Sequence, residues 1–274
     1  MTRLRILFVT DLSYEARGRR YGDEDVDLTR RLREHFDLAT CHPGDAEALM
    51  DAFDVVVVRN TGPVLGYLDA YASFRAAALA TGKPVFTELT GRADQAGKQY
   101  VLDLWEAGYP VIPTVASTTD LPRLPVVDEY VVKPMLGADS HGLHFLSPAA
   151  VAGVTEAAVL IQPRIRFAYE VSFYFVDDAF QYALYAPDPA ARWELEPYSP
   201  APDDLAFAQR FITWNTIAHG IQRVDACRTP DGDLLLVELE DLNPYLSLHL
   251  VTEEQRERFV DAVVASIGSL ARGG

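Results

Sequence analysis

Two short stretches in the last quarter of the chain hold residue types and spacings that do chemistry. Arg223 and Asp225 lie two apart, as do Glu238 and Glu240, and both segments read as β-strands. Side chains two apart on a strand share a face. Thr229-Pro230-Asp231-Gly232 between them is a turn, so Gln222 to Cys227 pairs with Leu234 to Leu239 as a hairpin and the two pairs approach each other. Like charges about 4 Å apart repel by roughly 4 kcal/mol at an effective dielectric of about 20, so clustered carboxylates call for a cation or water. Carboxylate oxygens with no His or Cys beside them suit Mg2+, which commonly arrives carrying phosphate. The same alternation also lines the solvent face of an ordinary antiparallel sheet. Asp241-Leu242-Asn243-Pro244 adds a further oxygen ligand or hydrogen-bond donor where the strand ends. Arg223 has two open roles, stabilising an oxyanion or simply pairing with Asp225.

Two lysines precede the hairpin. Lys133 ends a β-rich segment and is followed by Pro134 and the run Gly137-Ala138-Asp139-Ser140-His141-Gly142, whose glycines permit close backbone approach to phosphate oxygens. The lysine comes before the glycines, the reverse of a P-loop, and a run of this kind is also a plain turn. Lys98, after Gly97, falls within a predicted helix, where it is equally an exposed helix residue. For a second substrate, Arg59-Asn60-Thr61 follows the most buried N-terminal strand at the carboxyl end, where open α/β sheets bind ligands, and Arg59 there can clamp a carboxylate. Arg192 is either a second anion contact or a partner of Trp193. Tyr14, Arg17 and Arg20 lie in the long loop after the first strand, as a cover for substrate or as a solvated basic loop. His141 and His144 lack metal-ligand spacing.

The elements that position these residues change character along the chain. Strands over Arg5 to Thr10, Asp37 to Cys41, Val55 to Val58 and Lys83 to Thr87 alternate with helices over Asp25 to Phe36, Ala46 to Phe53 and Leu68 to Ala80, which predicts a parallel sheet covered by helices. No G-x-G-x-x-G follows the first strand, so a dinucleotide is not indicated. A helix is predicted over Ala93 to Ala107, then strands over Val111 to Thr114, Glu129 to Lys133 and Val159 to Gln162, with a short helix after Ser147. A hairpin from Glu170 to Tyr185 turns at Asp177-Asp178, a helix covers Asp203 to His219, and an amphipathic helix from Thr252 to Leu270 closes the chain. The second half is therefore α+β.

Composition bounds the rest. The net charge of −16 disfavours nucleic acid and anionic membranes, which need a basic surface, so an anionic ligand requires a local basic pocket. Two distant cysteines, Cys41 and Cys227, make no disulfide framework. The N-terminal apolar stretch Ile6 to Val9 is too short for a signal-peptide core, and a cytoplasmic protein is expected. No run approaches the roughly 20 apolar residues that cross a bilayer. A homodimer is the default expectation for a soluble chain. A serine hydrolase is disfavoured because no G-x-S-x-G is present, and a zinc enzyme because no spaced His or Cys set is.

In order, these pieces resemble the ATP-grasp superfamily, in particular amino acid and peptide ligases such as glutathione synthetase and D-alanine:D-alanine ligase. Lys98 before Gly108-Tyr109-Pro110-Val111-Ile112-Pro113-Thr114 looks like the family's first ATP lysine with its following helix and strand. Val132-Lys133-Pro134 and the glycines look like the second phosphate-binding lysine and its loop. Leu160-Ile161-Gln162-Pro163-Arg164-Ile165 resembles the linker that meets adenine, and Glu170 the acid that holds ribose. Arg223, Asp225, Glu238, Glu240 and Asn243-Pro244 match the closing arginine and magnesium ligands. The resemblance covers Lys98 to Leu248 and implies an α/β N-terminal domain (1–92), then α+β ATP-grasp subdomains (93–163 and 164–274) with the nucleotide bound between two antiparallel sheets. It implies ATP and Mg2+ as cofactors. Lys98, Lys133, Gly137, Ser140, Gly142, Gln162, Ile165 and Glu170 would bind ATP, with Lys133 and Arg223 acting in catalysis. Asp225, Glu238 and Glu240 would hold the metal, and Arg59, Asn60, Arg192, Arg223 and Asn243 would meet an amino-acid-like substrate. The implied activity is an ADP-forming carboxylate–amine ligase that works through an acyl phosphate. Many family members carry Asn where this chain has Glu240, and the doubled acid looks more like the branch with the cycloserine-forming synthetase, so an intramolecular cyclo-ligase is a second reading. A member that releases a phosphorylated product and a noncatalytic ATP-binding protein are further alternatives, the latter opposed by the intact set of lysines, arginine and acids.

Overall fold

A computed structural model of the chain describes residues 3–16, 19–20, 22–59, 66–136 and 142–273. The first strand, β1 (Arg5–Val9), is followed by the short pair β2 (Glu15–Ala16) and β3 (Arg19–Arg20), then α1 (Gly22–Leu32) and β4 (Asp37–Cys41). Next come α2 (Ala46–Leu49), β5 (Val55–Val58), α3 (Leu68–Thr81) and β6 (Val85–Phe86). The four longer-range strands form a parallel sheet in the order β4-β1-β5-β6. The run of four valines in β5 is buried on both faces, as a helix-covered parallel sheet requires. Ile6, Phe8, Val55 and Val57 face one core, and Leu7, Val9, Val56 and Val58 face the other, against Met50, Phe74 and Ala78. Each large apolar side chain so buried contributes about 1.5–3 kcal/mol. Gly82 takes φ +66° and closes α3, a left-handed cap that glycine adopts without strain.

The remaining chain builds two antiparallel sheets. After α4 (Gln99–Glu106), strand β7 (Tyr130–Pro134) is the centre of a three-stranded sheet with β8 (His144–Leu146) and, beyond α5 (Pro148–Val151), β9 (Val159–Pro163). The larger sheet contains β10 (Tyr169–Val176), β11 (Ala179–Ala186), β12 (Glu196–Tyr198) and, after α6 (Pro202–Asn215), β13 (Ile221–Arg228) and β14 (Leu234–Glu240), in the order β12-β11-β10-β13-β14. Helix α7 (Glu253–Gly273) closes the chain; Thr252 caps it, its Oγ1 accepting from Gln255 N at 3.2 Å. One face of the larger sheet packs on α4 and α6 through Phe173, Phe211, Val224 and Leu239. The other face, through Tyr174, Val176, Tyr182 and Ile221, shares a core with α7 and with Ile6, Phe8 and Val57 of the first sheet. A single core thus joins segments that the sequence separates at residues 92 and 164.

Three expected elements are corrected. Val111 to Thr114 is no strand: only isolated bridges Val111↔Leu236 and Val115↔Ile161 form, because Pro110 and Pro113 interrupt the amide ladder. The helix predicted to reach His219 stops at Asn215, where Thr216 turns left-handed with φ +61°. Lys98 is not inside a helix, since Gly97 at φ +86° breaks the segment and α4 begins one residue after the lysine. Among the described residues, no helix is long and apolar enough to cross a membrane.

Candidate active site

The acid and arginine pairs meet as their spacing predicts. Across β13 and β14, Arg223 stands opposite Glu240 and Asp225 opposite Glu238, so all four occupy one face. That face is set by a one-residue bulge. The register slips between Asp225 and Ala226, leaving Val237 as the extra residue, so Leu234 and Leu236 turn into the core beside Leu239 while Glu238 and Glu240 turn out of it. Strict alternation would have put Leu234, Leu236, Glu238 and Glu240 on the same side. On the neighbouring strand β10, Tyr174 stands opposite Arg223, Ser172 opposite Asp225 and Glu170 opposite Cys227. The face therefore runs from apolar Val176 and Ile221 at the shared core to charged residues at the far end.

The segment that carries Lys98 is clipped onto this hairpin. Asp94 Oδ1 accepts from Asp241 N at 2.6 Å and Leu242 N at 3.0 Å, while Asp241 accepts from Gln95 N at 3.0 Å and Ala93 N at 3.2 Å. Tyr100 Oη accepts from Leu239 N at 2.8 Å, between the two glutamates in sequence. Lys98 N donates to Met135 O at 3.0 Å, which ties the first lysine to the chain just beyond Lys133. As a result Lys98 Nζ lies 2.6 Å from Glu238 Oε1. Arg223 bridges two acids, with Nη2 at 2.7 Å from Asp225 Oδ2 and 2.6 Å from Glu240 Oε1, and donates from Nη1 to Tyr245 O at 3.0 Å. Ser172 Oγ donates to Asp225 Oδ1 at 2.6 Å.

Charge and burial compete throughout this cluster. Burial, together with the positive charge of Lys98, pushes Lys133 down to about 8. Burial also pulls Lys98 down, but Glu238 outweighs it and holds the lysine above its ordinary value. Glu238 is held below the usual carboxylate range, against burial, by Lys98 and Lys133. Glu240 is pushed up to about 8 by burial and by Asp225 and Glu238, more than Arg223 offsets. A buried acid so short of positive charge is what an added cation relieves.

Among solved structures, the chain is similar to the D-cycloserine synthetase DcsG, with 21% identity over 96% of this chain and 99% of that one and a TM-score of 0.73. It is similar to the ATP-grasp ligase PsnB complexed with a phosphomimetic variant of its minimal precursor, Mg and ADP, at 16% identity, 97% and 99% coverage and a TM-score of 0.67. The D-alanine–D-alanine ligase from Bacillus anthracis complexed with ATP matches at 12% identity, 100% and 99% coverage and a TM-score of 0.67. The chain has the ATP-grasp fold. No protein-family model and no curated protein matches the sequence.

Within the ATP-grasp fold the expected residues divide. Lys98, Lys133, Arg223, Asp225, Glu238 and Glu240 come together; Asn243, half-buried, lies just past β14. Asn60, Gly137 and Ser140 lie outside the described residues, as does His141; Gly142 is described, at φ +73° with Pro134 against it. Gln162 is buried and its amide donates to Thr114 Oγ1 at 2.8 Å, so its side chain is spent inside the protein; Ile165 is half-buried beyond β9. Arg59 is not the open clamp expected. It is 2% exposed, its Nε is 3.1 Å from Asp25 Oδ1, its Nη2 is 3.3 Å from Glu24 Oε1, and its Nη1 donates to Pro244 O at 2.8 Å. Arg192 reaches Glu170, Nε to Oε2 at 2.6 Å. No group of three His, Cys, Asp or Glu side chains among the described residues is gathered as a ready metal cage; Asp225 and Glu240 pair with Arg223, and Glu238 pairs with Lys98. The all-oxygen donor set on one face, with Glu240 short of compensation, still fits Mg2+ by chemistry.

Sequence reasoning missed the supports. Asp94, Asp241, Tyr100, Glu24 and Asp25 hold the site without lining a motif. Glu24 accepts from Leu246 N at 2.7 Å, so the loop after β14 is pinned to α1 and β5. The first turn of α1 carries Asp23, Glu24 and Asp25, acids that the helix dipole favours in any helix, so sequence alone does not mark two of them as buried partners of Arg59.

Proposed function

We propose that this protein is an ATP- and Mg2+-dependent carboxylate–amine ligase, ADP-forming, acting on an amino-acid-like substrate. The observation that carries the reading is the register of β13 and β14, with Arg223, Asp225, Glu238 and Glu240 on one face and Lys98 paired across it. Lys98 and Lys133, with the chain through Gly137, Ser140 and Gly142, bind the ATP phosphates, whose negative charge relieves the repulsion between the two lysines. Glu170 meets the ribose, and the main chain at Gln162 and Ile165 meets the base, between the three-stranded and five-stranded sheets of subdomains 93–163 and 164–274. Asp225, Glu238 and Glu240 hold Mg2+, which when bound neutralises phosphate charge.

In the reaction, a substrate carboxylate oxygen attacks the γ-phosphorus and ADP departs, giving an acyl phosphate. A nitrogen nucleophile then attacks the carbonyl carbon, and inorganic phosphate leaves as the amide forms. Arg223, fixed by Asp225 and Tyr245 O, presents positive charge to the tetrahedral oxyanion, and Lys133 stabilises the transferring phosphoryl group. Asn60 and Asn243 orient the acid. Catalysis of this kind is positioning and electrostatics, which a rigidly clipped hairpin supplies. A cytoplasmic location goes with this reading, and sedimentation tells whether the chain is the homodimer that is the default for such proteins.

The acid at Glu240 favours one second reading, an intramolecular cyclo-ligase. Product analysis with Mg2+ and ATP separates the readings while D- and L-amino acids and their O-substituted or ureido derivatives are screened. ADP and phosphate released with two organic substrates supports the intermolecular ligase, and release with one alone supports the cyclo-ligase. AMP and pyrophosphate would remove the acyl-phosphate route altogether.

A further inference from the structure

The outer edge of the three-stranded sheet carries a ladder that stops after one rung. Between β7 and β9, Met135 N donates to Ala158 O at 2.9 Å and Arg164 N to Glu129 O at 3.0 Å, so in this register Leu160 and Gln162 turn their amide groups toward β7. Ile161 faces the other way, and its N and O exchange bonds with Val115 at 2.8 and 3.0 Å. A continuing antiparallel strand would next pair Ser117 with Val159. Instead the chain turns off: Ser117 O accepts from Asp120 N at 3.1 Å and Ser117 Oγ from Thr119 N at 3.2 Å, as the 3-10 turn Thr118–Arg123 begins. Val159 N–H and C=O are thus directed across an open edge with no main-chain partner among the described residues, although Val159 is only 6% exposed. Main-chain groups so buried are nearly always paired.

The missing rung leaves a groove of about 380 Å³. Val154, Val159 and Ile161 form its floor, on the sheet face shared with Tyr130 and Val132 and away from Lys133. Its walls carry the hydroxyls of Ser117 and Thr155 and the carboxylate of Glu156, the one charged group among the described lining residues. An edge residue that offers both a donor and an acceptor is completed by one residue of an added antiparallel strand, whose side chain then lies beside that of Val159 on the same face. There it meets the apolar floor first and Glu156 beyond it, an order that fits the stem and the ammonium group of lysine. The net charge of −16 further favours the approach of a basic partner.

We propose that this edge is a docking site for an extended, lysine-bearing segment of a partner polypeptide, added to β9 as a strand with its lysine opposite Val159. The assignment stands apart from nucleotide binding and ligation, and its test needs neither. The full chain, isotope-labelled for amide correlation spectra, is titrated with three capped tripeptides: acetyl-Val-Lys-Val-amide, the same peptide with Glu for Lys, and the lysine peptide methylated on the lysine main-chain nitrogen. The range runs to about 5 mM, as a few main-chain bonds require. With the lysine peptide, the Val159 amide is expected to shift and to exchange its hydrogen more slowly. The glutamate peptide should bind about tenfold more weakly, and so should the methylated one, which lacks the donor for Val159 O. Glu156→Gln alters an exposed side chain and should bring the lysine and glutamate peptides within about twofold of each other. An unmoved Val159 amide overturns the assignment, as does equal binding of all three peptides. Protection of that amide that grows with protein concentration alone would give the edge to a second copy of the chain and overturn it too.

Discussion

Glu24 is the acid in excess in a buried cluster of two carboxylates and one guanidinium, and its replacement tests how that excess is carried. The side chains of Glu24, Asp25 and Arg59 are 5%, 0% and 3% exposed. Burial drives the Glu24 carboxyl up to about 7, opposed by Arg59, against an ordinary value of 4.5. The folded chain therefore keeps this proton up to about pH 7, whereas the unfolded chain gives it up near pH 4.5. Between those values the folded state binds more protons, so raising the pH favours unfolding. At about 1.4 kcal/mol per pH unit, the interval amounts to about 3 kcal/mol of stability present in acid and lost above pH 7. Glu24→Gln removes the titration while its amide oxygen can still accept from Leu246 N. Urea unfolding of both proteins, followed by tryptophan fluorescence between about pH 5 and pH 8, reads the difference; titrations common to both cancel. The variant should gain on the wild type by about 3 kcal/mol across that range. A gap that stays constant within about 0.5 kcal/mol would refute the reasoning, placing Glu24 among ordinary ionised carboxylates fully compensated by Arg59.

Other expectations are more direct. Under the proposed function, Glu238→Gln should abolish ligase turnover while leaving cooperative unfolding intact, because it removes a proposed metal ligand and not core volume; turnover at the wild-type rate would sink the metal assignment. Arg59→Met strands Asp25 and Glu24 without a cation and should cost about 3–5 kcal/mol in chemical denaturation, and a loss below about 1 kcal/mol would show that the acids protonate freely. A Cβ added at Gly91 would lie 2.0 Å from Gln95 Nε2 and 2.1 Å from Asp241 Oδ2. Gly91→Ala should therefore lower stability by about 1–3 kcal/mol and weaken MgADP binding, and a neutral result in both would mean the Asp94–Asp241 clip is dispensable.

Local pattern made much of this legible. The four valines of β5, the left-handed stop at Gly82 and the two hairpins each follow from neighbouring residues, and so does the shared face of Arg223, Asp225, Glu238 and Glu240. What stayed hidden is non-local. Three leucines in a row, Leu234 to Leu236, do not say where the strand slips its phase, so the bulge at Val237 is invisible until the partner strand is known. Likewise nothing near Asp94 points to Asp241, 147 residues away, and an amphipathic closing helix does not name the sheet it covers. Arg59 looked like a ligand clamp because a cation at the carboxyl end of a strand often is one. Its fate was decided by Glu24, Asp25 and the Pro244 carbonyl, all distant in sequence.

The stretch from Asp241 to Leu248 is moored through its main chain: by the Asp94–Asp241 clip at one end, by Glu24 receiving Leu246 N and Leu248 N at the other, and by Arg59 and Arg223 donating to Pro244 O and Tyr245 O between them. Main-chain contacts of this kind do not depend on which side chains the span carries, so exchange along it leaves the hairpin in register. Under the proposed function, the span can drift in what it selects while the phosphate chemistry beside it stays put. New substrate preferences on this scaffold should accordingly accumulate there, cheaply in stability, and substitutions at the moorings should be the ones that lineages refuse.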